Sequence, residues 1–173
     1  MAGIRVACSG CGAVVAADEA LPFPCPNAAA DDGIDHVLVR TLAGPEVGFP
    51  ELAADLAAEN PFVRYRRLLL AYHLARRHGL AEADFGALVE DLDDAVARVD
   101  GRGFRVTPFV PMPALSSAVG LPAGGELWVK DETANVSGSH KARHLMGVMI
   151  YLKVIERLGL PLAEGLRARR LAI

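Results

Sequence analysis

The chain has 173 residues, of which 52% are hydrophobic and 23% charged, with 18 Lys and Arg against 21 Asp and Glu. This composition is typical of a folded globular protein, and it excludes a collagen-like or intrinsically disordered chain. The formal net charge is −3 and the basic residues are scattered, so nothing in the charge pattern predicts binding to nucleic acid or to an anionic membrane. The expected partners are therefore small molecules or proteins.

Targeting and redox signals favour the cytoplasm. The best apolar run, around residues 145–152, is shorter than the ~18 residues that a membrane-spanning helix needs. The first residues lack the basic and apolar regions of a secretory signal. All three cysteines lie within the first 25 residues, and this odd number suits a reducing compartment better than a disulfide framework. The sequence therefore predicts a cytoplasmic protein without a membrane span.

Residues 1–45 are rich in Cys, Gly, Pro and Ala and are expected to form a small module. Cys8 and Cys11 have the knuckle spacing with which two thiolates bind one Zn²⁺, and Cys25 lies within reach of the same ion. A second knuckle would place a fourth cysteine where the sequence has alanine, so either His36 or a water would complete the site. The alternatives are a zinc-ribbon-like module with these three cysteines as metal ligands, or three free thiols.

Helical patterns dominate the middle of the chain, after one strand or strand pair expected over residues 34–42. A short helix is expected over 50–59. Asn60–Pro61 then combines an N-cap with a proline at the first helical position and begins a longer helix that Gly79 ends. A third helix is expected over 83–99, where apolar residues spaced by three and four form one stripe.

The last third combines short elements with one long helix. A short helix is expected over 113–119, and a buried strand over 126–130 because this run is short, aromatic and β-branched. An amphipathic helix is expected over 140–158. A further strand is expected to begin within the C-terminal residues 167–173.

The loop between that buried strand and the long helix carries the most chemical information. Residues 127–144 read Leu-Trp-Val-Lys-Asp-Glu-Thr-Ala-Asn-Val-Ser-Gly-Ser-His-Lys-Ala-Arg-His, so Ser139 is the natural N-cap and Lys141 lies in the first turn. Unpaired backbone N–H groups at a helix start favour a phosphate, and a lysine held there can condense with an aldehyde. Pyridoxal 5′-phosphate (PLP) carries both groups, so the pattern indicates this cofactor.

The same residues resemble a known family. The order Lys-Asp-Glu, a short loop and Ser-Gly-Ser-His-Lys is similar to the N-terminal part of the fold-type II PLP enzymes: threonine synthase, threonine dehydratase, cysteine synthase and the tryptophan synthase β subunit. Thr107–Phe109 resembles the Thr-Pro-Leu motif that precedes this block in the family. The resemblance covers about residues 105–160. It implies that Lys141 is the Schiff-base lysine and that Ser139 and His140 line the cofactor site.

The resemblance also implies the architecture. We expect an α/β chain whose residues 50–173 form an incomplete, mostly helical part of the three-layer α/β/α PLP-enzyme fold. The family's glycine-rich phosphate loop and its Ser/Thr-x-Asn loop have no counterpart in the sequence, which therefore resembles an N-terminal fragment.

The complete protein would be a PLP-dependent lyase or synthase acting on an amino acid by β- or γ-elimination or replacement, with Lys141 moving the Cα proton. Alone, the chain is expected to be inactive, and its partners would be the amino-acid substrate and either the missing C-terminal half or a second copy. The alternative is a non-catalytic binding module built from the cysteine knuckle and the helices that follow it.

Overall fold

The computed structural model describes residues 3–16, 24–50 and 60–160. These residues form helices and two small sheets, so the chain has the mixed α and β composition that the sequence predicts. Apart from Pro50, the helix expected over 50–59 lies outside the described residues, as does the strand expected over 167–173. Within the described residues, none of the helices has both the length and the apolar character needed to cross a membrane.

The N-terminal module contains a three-stranded antiparallel sheet in the order β2-β1-β3. Its strands are β1 (Gly3–Cys8), β2 (Val14–Val15) and β3 (Leu38–Ala43). Val6 is buried at the centre, where it pairs with Val15 on one side and with Arg40 on the other. The strand expected over 34–42 is confirmed from Leu38 onward, whereas β1 and β2 were not predicted.

The prediction of one long helix between Asn60 and Gly79 is wrong, because the structure has three shorter elements there. They are α1 (Pro61–Arg64), a 3₁₀ turn (Arg66–Leu68) and α2 (Leu70–Arg77). Asn60 caps α1 as predicted, with its Oδ1 accepting a hydrogen bond from Phe62 N–H at 2.9 Å.

Side-chain hydrogen bonds to the backbone accompany this break. Leu69 has an extended backbone, with φ −96° and ψ 127°, so it cannot continue a helix. Arg66 Nη1 donates to the carbonyl of Val63 at 2.8 Å, and His73 Nε2 donates to the carbonyl of Arg67 at 2.7 Å. These bonds satisfy carbonyl groups that a continuous helix would have paired internally.

Helix α3 (Glu82–Asp100) agrees with the helix expected over 83–99, and Gly101 ends it with a φ of 82°. Phe85 and Val89 of this helix are fully buried. They belong to the largest cluster of buried apolar side chains, which joins α2, α3 and the last helix: Ala71, Tyr72, Ala75, Phe85, Val89, Phe104, Val136, Ala142, Met146, Ile150 and Val154.

A second, two-stranded sheet lies at the start of the segment that carries the lysine. Strand β4 (Phe109–Pro111) pairs antiparallel with β5 (Trp128–Lys130), and α4 (Pro113–Ala118) lies between them in the chain. The strand expected over 126–130 is confirmed in its second half, but its predicted burial is wrong. Trp128 is 45% exposed, because its ring packs on that of Phe109 in β4, which is itself 61% exposed.

The amphipathic helix expected over 140–158 is confirmed as α5 (Lys141–Arg157). His140 already has helical angles, with φ −64° and ψ −21°, while Ser139 is extended. The Oγ of Ser139 accepts a hydrogen bond from Lys141 N–H at 3.2 Å, which is the N-cap to N2 contact of a capping serine. Ser139 therefore caps the helix start as predicted.

Candidate metal centre and lysine site

Four potential metal ligands meet at one end of the N-terminal sheet. Cys8 ends β1, Cys11 lies in the turn to β2, and Cys25 and His36 belong to the chain between β2 and β3. One donor atom from each residue lies within 4.8 Å of the other three. Cys8 and Cys25 are buried, and the other two are half-buried. This arrangement could hold a metal ion.

The distances within the cluster suit a tetrahedral ion. Cys11 Sγ lies 3.6 Å from Cys25 Sγ, and Cys8 Sγ lies 3.6 Å from His36 Nδ1. Zinc bound at about 2.3 Å to thiolates in tetrahedral geometry would separate two sulfur atoms by about 3.8 Å. The donor set, three sulfurs and one imidazole nitrogen, is one that structural zinc sites use.

The knuckle is shaped by a tight turn after β1. Cys8 N–H donates to Ala13 O at 2.8 Å, and Gly12 N–H donates to Cys8 O at 3.0 Å. Gly10 packs so closely on the neighbouring segment that an added Cβ would collide with the carbonyl oxygen of Asp35. A glycine at this position therefore lets the knuckle approach the segment that ends in His36.

Hydrogen bonds favour the thiolate form of Cys8. The N–H groups of Cys11 and Gly10 lower its pKa from 9.0 to about 6, with desolvation opposing them. Burial raises the pKa of Cys25, because desolvation disfavours a thiolate there. Thiolates are the form that binds metals, so the cluster already stabilises one anionic ligand.

His36 is held by a carboxylate on the side away from the sulfur atoms. Its Nε2 lies 2.8 Å from Asp32 Oδ2, and its side chain is 7% exposed. The hydrogen bond to Asp32 raises the pKa of His36 to about 9. The pKa of Asp32 is lowered, mainly by the hydrogen bond from Ile34 N–H and also by the hydrogen bond with His36.

The predicted convergence of Cys8, Cys11 and Cys25 is confirmed. Of the two possibilities for the fourth position, the structure supplies His36. Asp32 was not predicted, although its position four residues before His36 is a signal that the sequence contains.

The lysine site lies at the opposite end of the sequence, where a short turn leads into α5. Ser137 and Gly138 have left-handed backbone angles, with φ of 55° and 62°, which turn the chain toward the helix. Lys141 is the first residue of α5 and is exposed. It borders a cavity of about 340 Å³ whose other lining residues include Ser137, Ser139 and Met149.

Two of the three predicted cofactor residues share this cavity. Ser139 and Lys141 both line it, whereas His140 is exposed and is not among the lining residues. The carbonyl of Ser139 accepts a hydrogen bond from Asn135 Nδ2 at 3.1 Å. Asn135 is fully buried, and its Oδ1 has no hydrogen-bond partner within the described part of the chain.

The chain has three lysines, and they differ in their contacts. Lys130 Nζ donates to the carbonyl of Thr107, and Lys153 Nζ lies 2.8 Å from a carboxylate oxygen of Glu156. Within residues 3–16, 24–50 and 60–160, Lys141 is the lysine whose amine makes no hydrogen bond or ion pair. Its amine is therefore available to a ligand.

A polar network fixes the start of α5 to the Thr107–Phe109 segment. Arg143 Nε donates to Glu132 Oε2 at 2.8 Å, and Arg143 Nη2 donates to Arg105 O at 2.8 Å. Thr107 Oγ1 donates to the same carboxylate. Burial alone would raise the pKa of Glu132, but the hydrogen bonds from Arg143 and Thr107 hold it below its ordinary value.

Comparison with protein-family models, with curated proteins and with solved structures finds no significant match to the chain. The function is therefore inferred from the two sites and from the resemblance of the lysine segment.

Proposed function

We propose that the chain is part of a PLP-dependent enzyme of the fold-type II class, in which Lys141 is the residue that binds the cofactor covalently. The substrate would be an amino acid, and the reaction of the complete enzyme would be a β- or γ-elimination or replacement. The observation that carries this proposal is the environment of the Lys141 amine. Its amine has no partner within the described residues, and it borders a cavity at the start of a long helix.

The residues around this cavity suit the cofactor. Its volume of about 340 Å³ falls at the lower end of the range for small-molecule sites, about 300–1,000 Å³. Phe104, Met146 and Met149 provide apolar lining for a pyridine ring. The hydroxyl of Ser139 and the partial positive charge at the N-terminus of α5 would favour its phosphate.

When bound, PLP supplies an electron sink for reactions at the Cα atom of an amino acid. Lys141 would then serve as the base that moves the Cα proton, because its amine lies at the cofactor. Asn135 holds the loop through the carbonyl of Ser139, and the contact between Glu132 and Arg143 holds the first turn of α5. Together these contacts hold the backbone that carries Lys141 beside the cavity.

Reductive trapping tests the proposal. The chain is incubated with PLP, reduced with borohydride and mapped by peptide mass spectrometry. We expect the label on Lys141, with Lys130 and Lys153 labelled weakly because their amines are engaged. The variant Lys141→Arg should lose the label. The matched control Lys153→Arg, on the same helix, should keep it.

Equal labelling of the three lysines, or labelling of Lys130 or Lys153 with Lys141 spared, would contradict the proposal. Such a result in a protein that contains zinc would favour the alternative of a non-catalytic binding module.

We also propose that the cluster of Cys8, Cys11, Cys25 and His36 binds one Zn²⁺ ion in a structural role. Four protein donors leave no open position for a substrate, which is typical of structural rather than catalytic zinc. Metal analysis of protein prepared without chelator should find close to one zinc per chain. Cys11→Ser should lose it, and the control Ser9→Ala, in the same turn, should retain it.

Protein that contains no zinc and takes none up on titration would overturn this assignment. Because structural zinc contributes directly to folding, we expect the loss of the ion to be accompanied by unfolding of the β1–β3 module.

A further inference from the structure

The imidazole of His36 contacts the cluster with one nitrogen and a carboxylate with the other. Its Nδ1 lies 3.6 Å from Cys8 Sγ, and its Nε2 lies 2.8 Å from Asp32 Oδ2. Asp32 is itself fixed, because its Oδ1 accepts a hydrogen bond from Ile34 N–H at 2.9 Å. One carboxylate oxygen therefore binds the backbone while the other faces the ring.

A histidine that binds a metal presents one ring nitrogen to the ion and donates a hydrogen bond from the other. A carboxylate at the second nitrogen keeps the proton there, fixes the ring orientation and increases the electron density at the nitrogen that binds the metal. In His36, Nδ1 faces the cysteine cluster and Nε2 faces the carboxylate of Asp32, as this arrangement requires.

We infer that Asp32 is a positioning residue for the metal centre, which holds His36 as the tautomer protonated on Nε2 and directs Nδ1 to the ion. The inference rests on the proposed zinc site. It adds which nitrogen of His36 binds the metal and which side chain outside the ligand set determines that choice.

The neighbouring carboxylates provide a matched control. Asp31 and Asp35 flank the same loop, are exposed, and make no side-chain hydrogen bond or ion pair among the described residues. Asp35→Ala, like Asp32→Ala, removes one negative charge. Asp35 lies directly before His36 in the sequence. A general loss of negative charge would affect both variants equally, whereas a positioning role affects only Asp32.

The experiment measures zinc affinity by competition with a chromophoric chelator for the wild type, Asp32→Ala, Asp32→Asn and Asp35→Ala. We expect Asp32→Ala to bind zinc about 10 to 100 times more weakly than the wild type, the range measured for such outer contacts. Asp35→Ala should bind as the wild type does. Asp32→Asn should lie in between, because its amide oxygen can still accept the proton of Nε2.

A second measurement uses the unmodified protein and does not depend on how the variants fold. In zinc-loaded wild type, nitrogen NMR of the His36 ring should show Nδ1 bound to the metal and Nε2 protonated, with a proton that exchanges slowly. A loss of loop structure alone would not change which nitrogen binds the ion.

The outcomes separate the two proposals. If the wild type binds no zinc, the metal centre itself is overturned. If the wild type binds zinc but Asp32→Ala binds it as tightly as Asp35→Ala, or if Nε2 carries the metal, only the positioning role is overturned. A selective loss of affinity in Asp32→Ala together with a metal-bound Nδ1 supports the inference.

Discussion

The substitution Glu132→Gln tests whether the carboxylate two residues after β5 holds the lysine segment together. Glu132 accepts hydrogen bonds from Arg143 Nε at 2.8 Å and Nη2 at 3.3 Å, and another from Thr107. Its side chain is 13% exposed and that of Arg143 is 24% exposed, so solvent screens the pair only in part. Glutamine has a similar size but no charge.

The expected loss of stability follows from the change in hydrogen-bond type. Bonds to a charged group contribute about 1.5–3 kcal/mol and neutral ones about 0.5–1.5 kcal/mol, and the variant also leaves the charge of Arg143 less well paired. We expect Glu132→Gln to lower the free energy of unfolding by about 2 kcal/mol at pH 7. For a chain of this size, this corresponds to a fall in Tm of about 4–8 °C.

The effect should depend on pH with a defined sign. Because folding lowers the pKa of Glu132, its contribution is present above the ordinary value of 4.5 and is lost as the pH falls through the lower folded value. The stability difference between the wild type and Glu132→Gln should therefore be largest at neutral pH and shrink below about pH 4.5.

Urea unfolding of both proteins between pH 7 and pH 3.5 measures this difference. Glu126→Gln is the control, because Glu126 is an exposed carboxylate just before β5 that accepts a hydrogen bond from Trp128 Nε1 at 3.1 Å. Equal stability of the two variants at pH 7, or a gap that does not change with pH, would refute the reasoning.

Three further substitutions, two of them with a matched comparison variant, test the packing and the helix ends, each by urea unfolding at pH 7. Phe85→Ala removes a fully buried ring from α3 and should cost about 3–5 kcal/mol; a cost below about 1 kcal/mol would contradict the core as described. Gly101→Ala forces a Cβ onto a residue with φ 82° and should destabilise by about 1–2 kcal/mol, while Gly86→Ala, inside α3 with open space around it, should stabilise by about 0.5–1 kcal/mol. The same sign for both glycines would show that the left-handed cap does not matter. Asn60→Ala removes the cap of α1 and a hydrogen bond to Asp93 and should cost about 1–2 kcal/mol, whereas Asn60→Ser, which keeps an uncharged cap oxygen, should restore part of the loss.

The parts of the fold that the sequence predicts are those set by local patterns. Helices α3 and α5 lie within one residue of their expected bounds, because a regular apolar stripe and a defined cap determine each of them. The break at Leu69 was missed because every residue around it tolerates a helix. The interruption is accompanied by contacts of Arg66 and His73 to backbone carbonyls, which sequence spacing does not reveal.

The sequence predicts only the part of the candidate metal site that depends on local spacing. The pair Cys8 and Cys11 lies in one turn, so its geometry follows from spacing alone. His36 lies 28 residues beyond Cys8, and it reaches the cluster because β3 pairs with β1 in a register that sets Leu38 opposite Cys8. Such a contact depends on strand pairing, and β1 itself is not predicted from the sequence.

The cysteine cluster also has a consequence for how the N-terminal module is held together. The buried apolar residues described in this module are Val6, Cys8, Val15 and Cys25, so two of the four are also metal ligands. An ion bound by Cys8 and His36 would close a loop of 28 residues, and this cross-link would restrict the unfolded chain much as a disulfide does. The restriction disappears when the ion leaves, so the order of the module would follow the free metal concentration by mass action. The three-stranded sheet would then be folded only when the ion is bound. The helices that follow it in the chain have a hydrophobic core of their own.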